Sequence, residues 1–278
     1  MSTRLDSERH AHATAVRTVP SRAGAAAHVL MLTDDPDTGV ADLAQAIGSD
    51  PAFASKTLAL ANSAYFGLSG RVGSLEYAIS VLGFQMIRAL AVSIAAGLDK
   101  PDGVPDGFWL QAATAATAAN ILAPMFGAKP ADAFSIGLLH TLGSALLHQQ
   151  RPLPALCLPH PGSQEELNDT EFELYGIGHA QAGAQALAAW QFPRSMCSLV
   201  ARHHEPRDAP GEPLADCLRA ARTLTDLALA PDPDVRGAEI LLLTLSEGRL
   251  AAHDVVPLVS QIVDRSAGLL EGLNVASG

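Results

Sequence analysis

The chain has 278 residues, a formal net charge of −11, only 5% aromatic side chains and three cysteines. That length can bury an apolar core without disulfides or a structural metal. The acidity argues against a nucleic-acid binder, because phosphate contacts need a concentrated field of Lys and Arg, and no basic cluster interleaved with aromatics occurs. Cys157, Cys197 and Cys217 lie far apart with no C-x-x-C, so neither a disulfide framework nor a thiolate zinc site is indicated.

The first nineteen residues mix Arg4, Asp6, Glu8, Arg9 and Arg17 with His and Ala and lack the apolar stretch of a secretory signal, so residues 1–19 read as a mobile tail. A first helical block, residues 20–99, follows, with a turn at Asp34-Asp35-Pro36-Asp37. Asp50 before Pro51 is an N-cap with proline at the first helical position. Phe53, Leu58, Leu60, Ala61 and Tyr65 then recur at helical intervals. Asn62 and Ser63 close that helix and read as a C-terminal cap rather than as ligands. After a break at Gly67 to Gly73, Ile79, Leu82, Ile87, Leu90 and Ile94 predict a further helix following Ser74. The longest apolar run, Ala89 to Leu98, falls short of the roughly 20 residues that cross a bilayer. A cytoplasmic protein with no membrane partner is the expectation.

Lys100 to Gly107 breaks every helical pattern and marks a boundary. The second block, residues 108–230, opens with very apolar helices expected from Phe108 to Phe126 and from Ala131 to His148, which belong at the centre of a bundle. Arg151 to Pro161 carries four prolines and reads as a crossing loop. Ser163-x-x-Glu166 has capping-box spacing. Helices are predicted near Glu165 to Tyr175, Gly178 to Trp190, Arg194 to His204, Leu214 to Ala230, Val235 to Ser246 and Asp254 to Leu270, the last two in an extension spanning residues 231–278. The fold class is all-α, with two packed helical subdomains.

Four histidines stand out: His140 in Gly137-Leu-Leu-His-Thr-Leu-Gly143, His179 in Gly176-Ile-Gly-His-Ala180, and the adjacent His203 and His204. Imidazole is a common neutral metal ligand, and a buried one demands a hydrogen-bond partner or a metal. Neighbours on one helix diverge by about 100°, so His203 and His204 can share one ion only near a frayed helix end, which Glu205-Pro206 supplies. By spacing alone, polar side chains bonding helix to helix explain these residues as well. Trp109 and Trp190 read as core or interface anchors, since no basic groove accompanies them.

Ala44-Gln-Ala-Ile-Gly-Ser-Asp-Pro51, Leu58-Ala-Leu-Ala-Asn-Ser-Ala-Tyr-Phe66 and Ser74-Leu-Glu-Tyr-Ala-Ile-Ser-Val-Leu-Gly83 resemble the first half of an HDOD domain. Phe108-Trp109, Gly137-Leu-Leu-His140, Gly178-His-Ala-Gln-Ala-Gly183, Trp190-Gln-Phe-Pro193 and His203-His204 continue the resemblance, which covers roughly Pro20 to Ala230. It implies a bacterial signalling module whose second subdomain is an HD-like bundle, a degenerate relative of HD and HD-GYP phosphohydrolases. The metal ligands it implies are His140, His179, His203 and His204, as a vestigial site. The HD aspartate position is Thr141, whose neutral hydroxyl cannot bridge two cations or help charge a bound water. Where an HD enzyme places its first histidine after a Trp109-like position, the chain reads Leu110-Gln-Ala-Ala-Thr114. The expectation is therefore a non-enzymatic module with no resident cofactor, a divalent metal being the one candidate. Its ligands would be a signalling protein and, as a second class, a nucleotide messenger. The alternative is a metal-dependent phosphohydrolase acting on a nucleotide.

Overall fold

A computed structural model describes residues 24–98, 103–150, 164–205, 212–231 and 233–273. The tail at 1–19, part of the boundary at Lys100, the proline loop with Cys157, the capping box at Ser163 and the residue Pro206 lie outside the described residues. Among the described residues every regular element is helical. In chain order they are α1 (Ala25–Asp34), α2 (Val40–Gly48), α3 (Pro51–Ala61), a 3-10 turn (Ala64–Phe66) and α4 (Leu75–Ala95). Then come α5 (Phe108–Phe126), α6 (Pro130–Leu139), α7 (Leu142–Gln150), α8 (Gln164–Tyr175), α9 (His179–Ala189) and α10 (Arg194–Ala201). The chain continues through α11 (Pro213–Leu229), α12 (Val235–Leu245), a second 3-10 turn (Ala252–Asp254) and α13 (Val255–Leu273).

Local chemistry sets the starts. Asp50 accepts from the backbone of Ala52 at 2.9 Å and Phe53 at 3.2 Å, and Pro51 occupies the position whose N–H would be orphaned. Ser74 caps α4 by accepting from the Tyr77 amide. Within α4, Gly83 adopts φ 76°, a left-handed conformation that bends the helix and that a side chain would resist. α4 is long and apolar enough by composition to cross a membrane, beyond the run isolated from sequence, yet 67% of that window is buried against the rest of the fold.

Asn62 closes α3 and clamps the following loop. Its Nδ2 donates to the carbonyls of Leu58 at 3.0 Å and Val72 at 2.8 Å, while its Oδ1 accepts from the Val72 amide at 2.9 Å. Val72 is buried, so Asn62→Ala strands both of its backbone groups away from water. We expect a loss of roughly 2 kcal/mol in urea denaturation; a loss below about 0.5 kcal/mol, the size of an ordinary surface change, would show that the clamp is ornamental.

One apolar core runs from Ala26 on α1 through α4, α5, α6 and α10, and takes in Leu269, Leu270 and Leu273 of α13. A second, around α5, α11, α12 and α13, includes Leu122, Phe126, Leu224, Leu242 and Ile262. α5 belongs to both because Ala112, Ala113, Ala115, Ala116, Ala118 and Ala119 are all fully buried, and their small side chains let α6 and α11 approach closely. α13 folds back over the N-terminal helices. A Cβ on Gly272 would stand 2.5 Å from that of Ser63, and one on Gly268 would meet Ala64 at 3.0 Å, so two glycines one turn apart form the docking seat.

Arg88 of α4 ties the N-terminal helices to the α9–α10 turn. Its guanidinium bonds to Asp34 of α1, donates to the Trp190 carbonyl at 3.0 Å and lies 4.3 Å from the Phe192 ring centroid. Such a cation on an aromatic face gains strength when removed from water, and Arg88 is buried. Trp109 and Trp190 both pack against the main core.

Candidate functional site

The expected helix from Ala131 to His148 is two helices, broken at His140 and Thr141. The physical reason lies in the glycines at either end of Gly137-Leu-Leu-His-Thr-Leu-Gly143. A Cβ on Gly137 would sit 2.7 Å from the Ala115 carbonyl oxygen of α5, and one on Gly143 would sit 1.9 Å from the His179 carbonyl oxygen at the start of α9. Each glycine lets its helix touch another backbone directly. His140 lies at the break between them, its amide closing the last turn on the Ile136 carbonyl at 2.9 Å, and is only 2% exposed.

α10 ends at Ala201, two residues short of His203, so His203 and His204 occupy a turn rather than a helix. Both rings therefore face inward together, 3.9 Å apart between centroids. The His203 ring lies 5.3 Å from those of His140 and His179, and His179 lies 4.8 Å from His204. The fold brings all four sequence candidates into one cluster. Ligand nitrogens of His179, His203 and His204 lie within 4.8 Å of one another, close enough for these imidazoles to hold one metal ion.

The hydrogen bonds assign each ring its protons. His140 Nδ1 stands 2.7 Å from the Gly137 carbonyl and His203 Nδ1 stands 2.6 Å from the Val200 carbonyl. A carbonyl only accepts, so both rings carry their proton on Nδ1 and present a lone pair at Nε2. The His203 Nε2 is buried without a hydrogen-bond partner among the described residues. His179 Nδ1 lies 2.7 Å from Glu171 Oε2, which also accepts from the His179 amide at 2.7 Å. A carboxylate behind an imidazole fixes its orientation and raises its basicity, as behind many metal-bound histidines.

Arg222 of α11 faces the same cluster. Its Nη2 donates to His204 Nδ1 at 2.8 Å and its Nη1 to the His203 carbonyl. Burial and this guanidinium together hold His140 down to about 3 and His204 down to about 2, and push His203 well below the usual imidazole range. Burial is the larger cause in each case. These three rings are neutral at physiological pH.

Sequence reasoning missed two members. The carboxylate that reaches the cluster is Glu171, 2% exposed, while Glu205, next to His204 in the chain, contributes its backbone carbonyl to Arg219. The signal for Glu171 was a charged residue eight positions before His179 with Gly176 and Gly178 between, a spacing that turns the chain back on itself. Arg222 stands one turn after Leu218, on the face that buries Leu218, Ala221 and Thr225, which marks a charge drawn toward the core but not the histidines it meets there.

Thr141 is 4% exposed and its hydroxyl has no hydrogen-bond partner among the described residues. The donor set thus contains imidazoles, one carboxylate already committed to His179, and a guanidinium. It fits a single ion by proximity and does not fit a carboxylate-bridged pair, which needs an anionic ligand between two cations.

The HDOD domain family matches residues 19–206, well over half of the chain. A protein of Treponema pallidum with no assigned function is 28% identical over 185 residues, which is 64% of this chain but 36% of that relative, so the chain spans about a third of its length. A Shewanella amazonensis structure, named as a proposed phosphohydrolase, superposes with a TM-score of 0.72 at 23% identity over 95% of this chain and 98% of that one. A Marinobacter aquaeolei structure, named as a proposed signal transduction protein, gives 0.60 at 26% identity, covering 90% of this chain and 58% of that one.

Proposed function

The chain belongs to the HDOD domain family, and from that premise we propose that it is a non-catalytic signalling module that works by binding a protein partner. The observation that carries this reading is the replacement of the anionic anchor. Thr141 stands where the resemblance places the HD aspartate, its buried hydroxyl has no hydrogen-bond partner among the described residues, and Glu171 is spent on orienting His179. Hydrolysis of a phosphodiester needs a charged water and a poised base, and this donor set offers neither. The name of the Marinobacter aquaeolei neighbour, a proposed signal transduction protein, points the same way. A nucleotide messenger is the second ligand class consistent with the family.

The test has two arms. Purified protein supplied with zinc, manganese or ferrous iron is expected to show no turnover of a cyclic dinucleotide or a nitrophenyl phosphodiester above the metal alone. Affinity capture from the native cell is expected to retain a defined signalling protein. Metal-dependent turnover abolished by His179→Ala would overturn the non-catalytic assignment, and the proximity of His179, His203 and His204 is the observation that would then favour the phosphohydrolase reading.

A further inference from the structure

The hydrogen bonds around His204 have only one consistent arrangement. Arg222 has donors and no acceptor and stays charged in proteins. With its Nη2 at 2.8 Å, His204 Nδ1 must offer a lone pair, so the His204 proton sits on Nε2. That Nε2 is 2.7 Å from His179 Nε2, which must accept, and His179 then keeps its own proton on Nδ1, facing Glu171. The result is a directed chain from Arg222 through His204 and His179 to Glu171. His179 Nε2 cannot be the donor in that pair, because His204 would then have to accept at both nitrogens.

This chain consumes the lone pairs that a metal would use. His204 Nδ1 is filled by Arg222 and His179 Nε2 by His204, which leaves only the Nε2 atoms of His140 and His203 uncommitted by these bonds. Two imidazoles are too few for a tetrahedral zinc-type ion held by protein ligands. Recruiting His204 through Nε2 would move its proton to Nδ1 and aim it at an N–H of Arg222. It would also set a dication beside a fixed guanidinium.

We propose that Arg222 is a built-in cation that closes the histidine cluster to metal, so that the site is latent rather than absent, and that removing the guanidinium opens it to a single ion bound by His179, His203 and His204. The guanidinium is held for this role from two sides, by the His204 ring and the His203 carbonyl. The inference shares its cluster with the non-catalytic reading but does not depend on a protein partner, and the two fail separately: capture of a partner says nothing about Arg222, and cobalt binding says nothing about a partner.

The experiment compares wild type, Arg222→Met and Arg222→Lys in cobalt(II) titrations of the full chain. Methionine keeps an unbranched apolar stem without charge or donors, whereas lysine keeps a charge and donors. Arg222→Met is expected to bind one cobalt per chain with the intense visible absorption of a tetrahedral ion, about 10–100-fold more tightly than wild type, the range over which groups behind the ligands tune affinity. Arg222→Lys is expected to stay near wild type. Equal cobalt affinity in wild type and Arg222→Met overturns the proposal, as does a folded Arg222→Met that takes no metal. Should Arg222→Met not fold, long-range proton–nitrogen NMR of wild-type imidazoles decides the matter. A proton on Nε2 of His204 and on Nδ1 of His140, His179 and His203 supports the closed chain; a proton on His204 Nδ1 refutes it.

Discussion

Gly143→Ala should be the most damaging single-methyl substitution in the chain. The added carbon would lie 1.9 Å from the His179 carbonyl oxygen, 2.7 Å from the Gly183 amide nitrogen and 2.7 Å from the His179 carbonyl carbon, all of them backbone atoms of α9. Backbone cannot swing aside as a long side chain can, so α7 and α9 must separate. Overpacking of this kind costs about 1–3 kcal/mol and occasionally more, and the rigidity of the obstacle puts Gly143 at or above the upper end. The gain in helix propensity from Gly to Ala, about 1 kcal/mol, offsets only part of it. We expect a net loss of about 3 kcal/mol or more in urea denaturation. Gly183→Ala is the informative comparison, because its methyl meets the Gly143 nitrogen at 3.1 Å and a Val200 methyl at 3.3 Å. The same helix crossing should tolerate it far better. Gly73→Ala, with nothing within 4 Å, is the control. If Gly143→Ala and Gly183→Ala cost the same, the crossing is not as close as described. Because His179 begins α9, separation also moves its ring away from His204 and Glu171, linking a packing defect to the cluster.

That link explains what was legible in the sequence. Periodicity and caps placed nearly every helix to within a few residues: Phe108 to Phe126 is α5, and the expected end of the Asp50-capped helix near Asn62 is where α3 stops. Periodicity reports which face is apolar, and long amphipathic or fully buried helices state it redundantly. It failed at His140 and Thr141 because the residues on both sides are apolar, so nothing in the pattern marks a break caused by glycines seated on other helices. The four histidines were legible through the family resemblance. Arg222 was not, since its role depends on α11 crossing the turn after α10, a long-range contact that no local spacing encodes. A buried Glu171 eight residues before a histidine carried a weak signal that the charge count alone obscured.

Acid should unfold this protein earlier than its acidic composition suggests, and the sign follows from the buried imidazoles. His140 and His203 are 2% and 4% exposed and are held below the ordinary imidazole range, His140 down to about 3. Below an unfolded value near 6.5, the denatured chain takes up a proton at each of these residues and the folded chain does not. The denatured state therefore binds more protons, and stability falls as pH falls. The contribution is fully present above about pH 6.5 and drains away toward the folded value near 3 for His140. Each such group contributes a slope of up to about 1.4 kcal/mol per pH unit, so with His204, held down to about 2, the three together approach a slope of about 4 kcal/mol per pH unit near pH 5. Urea denaturation at half-unit steps from pH 8 to pH 5 should give a plateau and then a descent beginning near pH 6.5. Replacing His140 with Gln, which keeps polarity without titrating, should reduce the slope by about a third while leaving its onset in place, whatever it does to the plateau. A flat profile down to pH 5 would mean that these rings gain protons in the folded state as readily as in water.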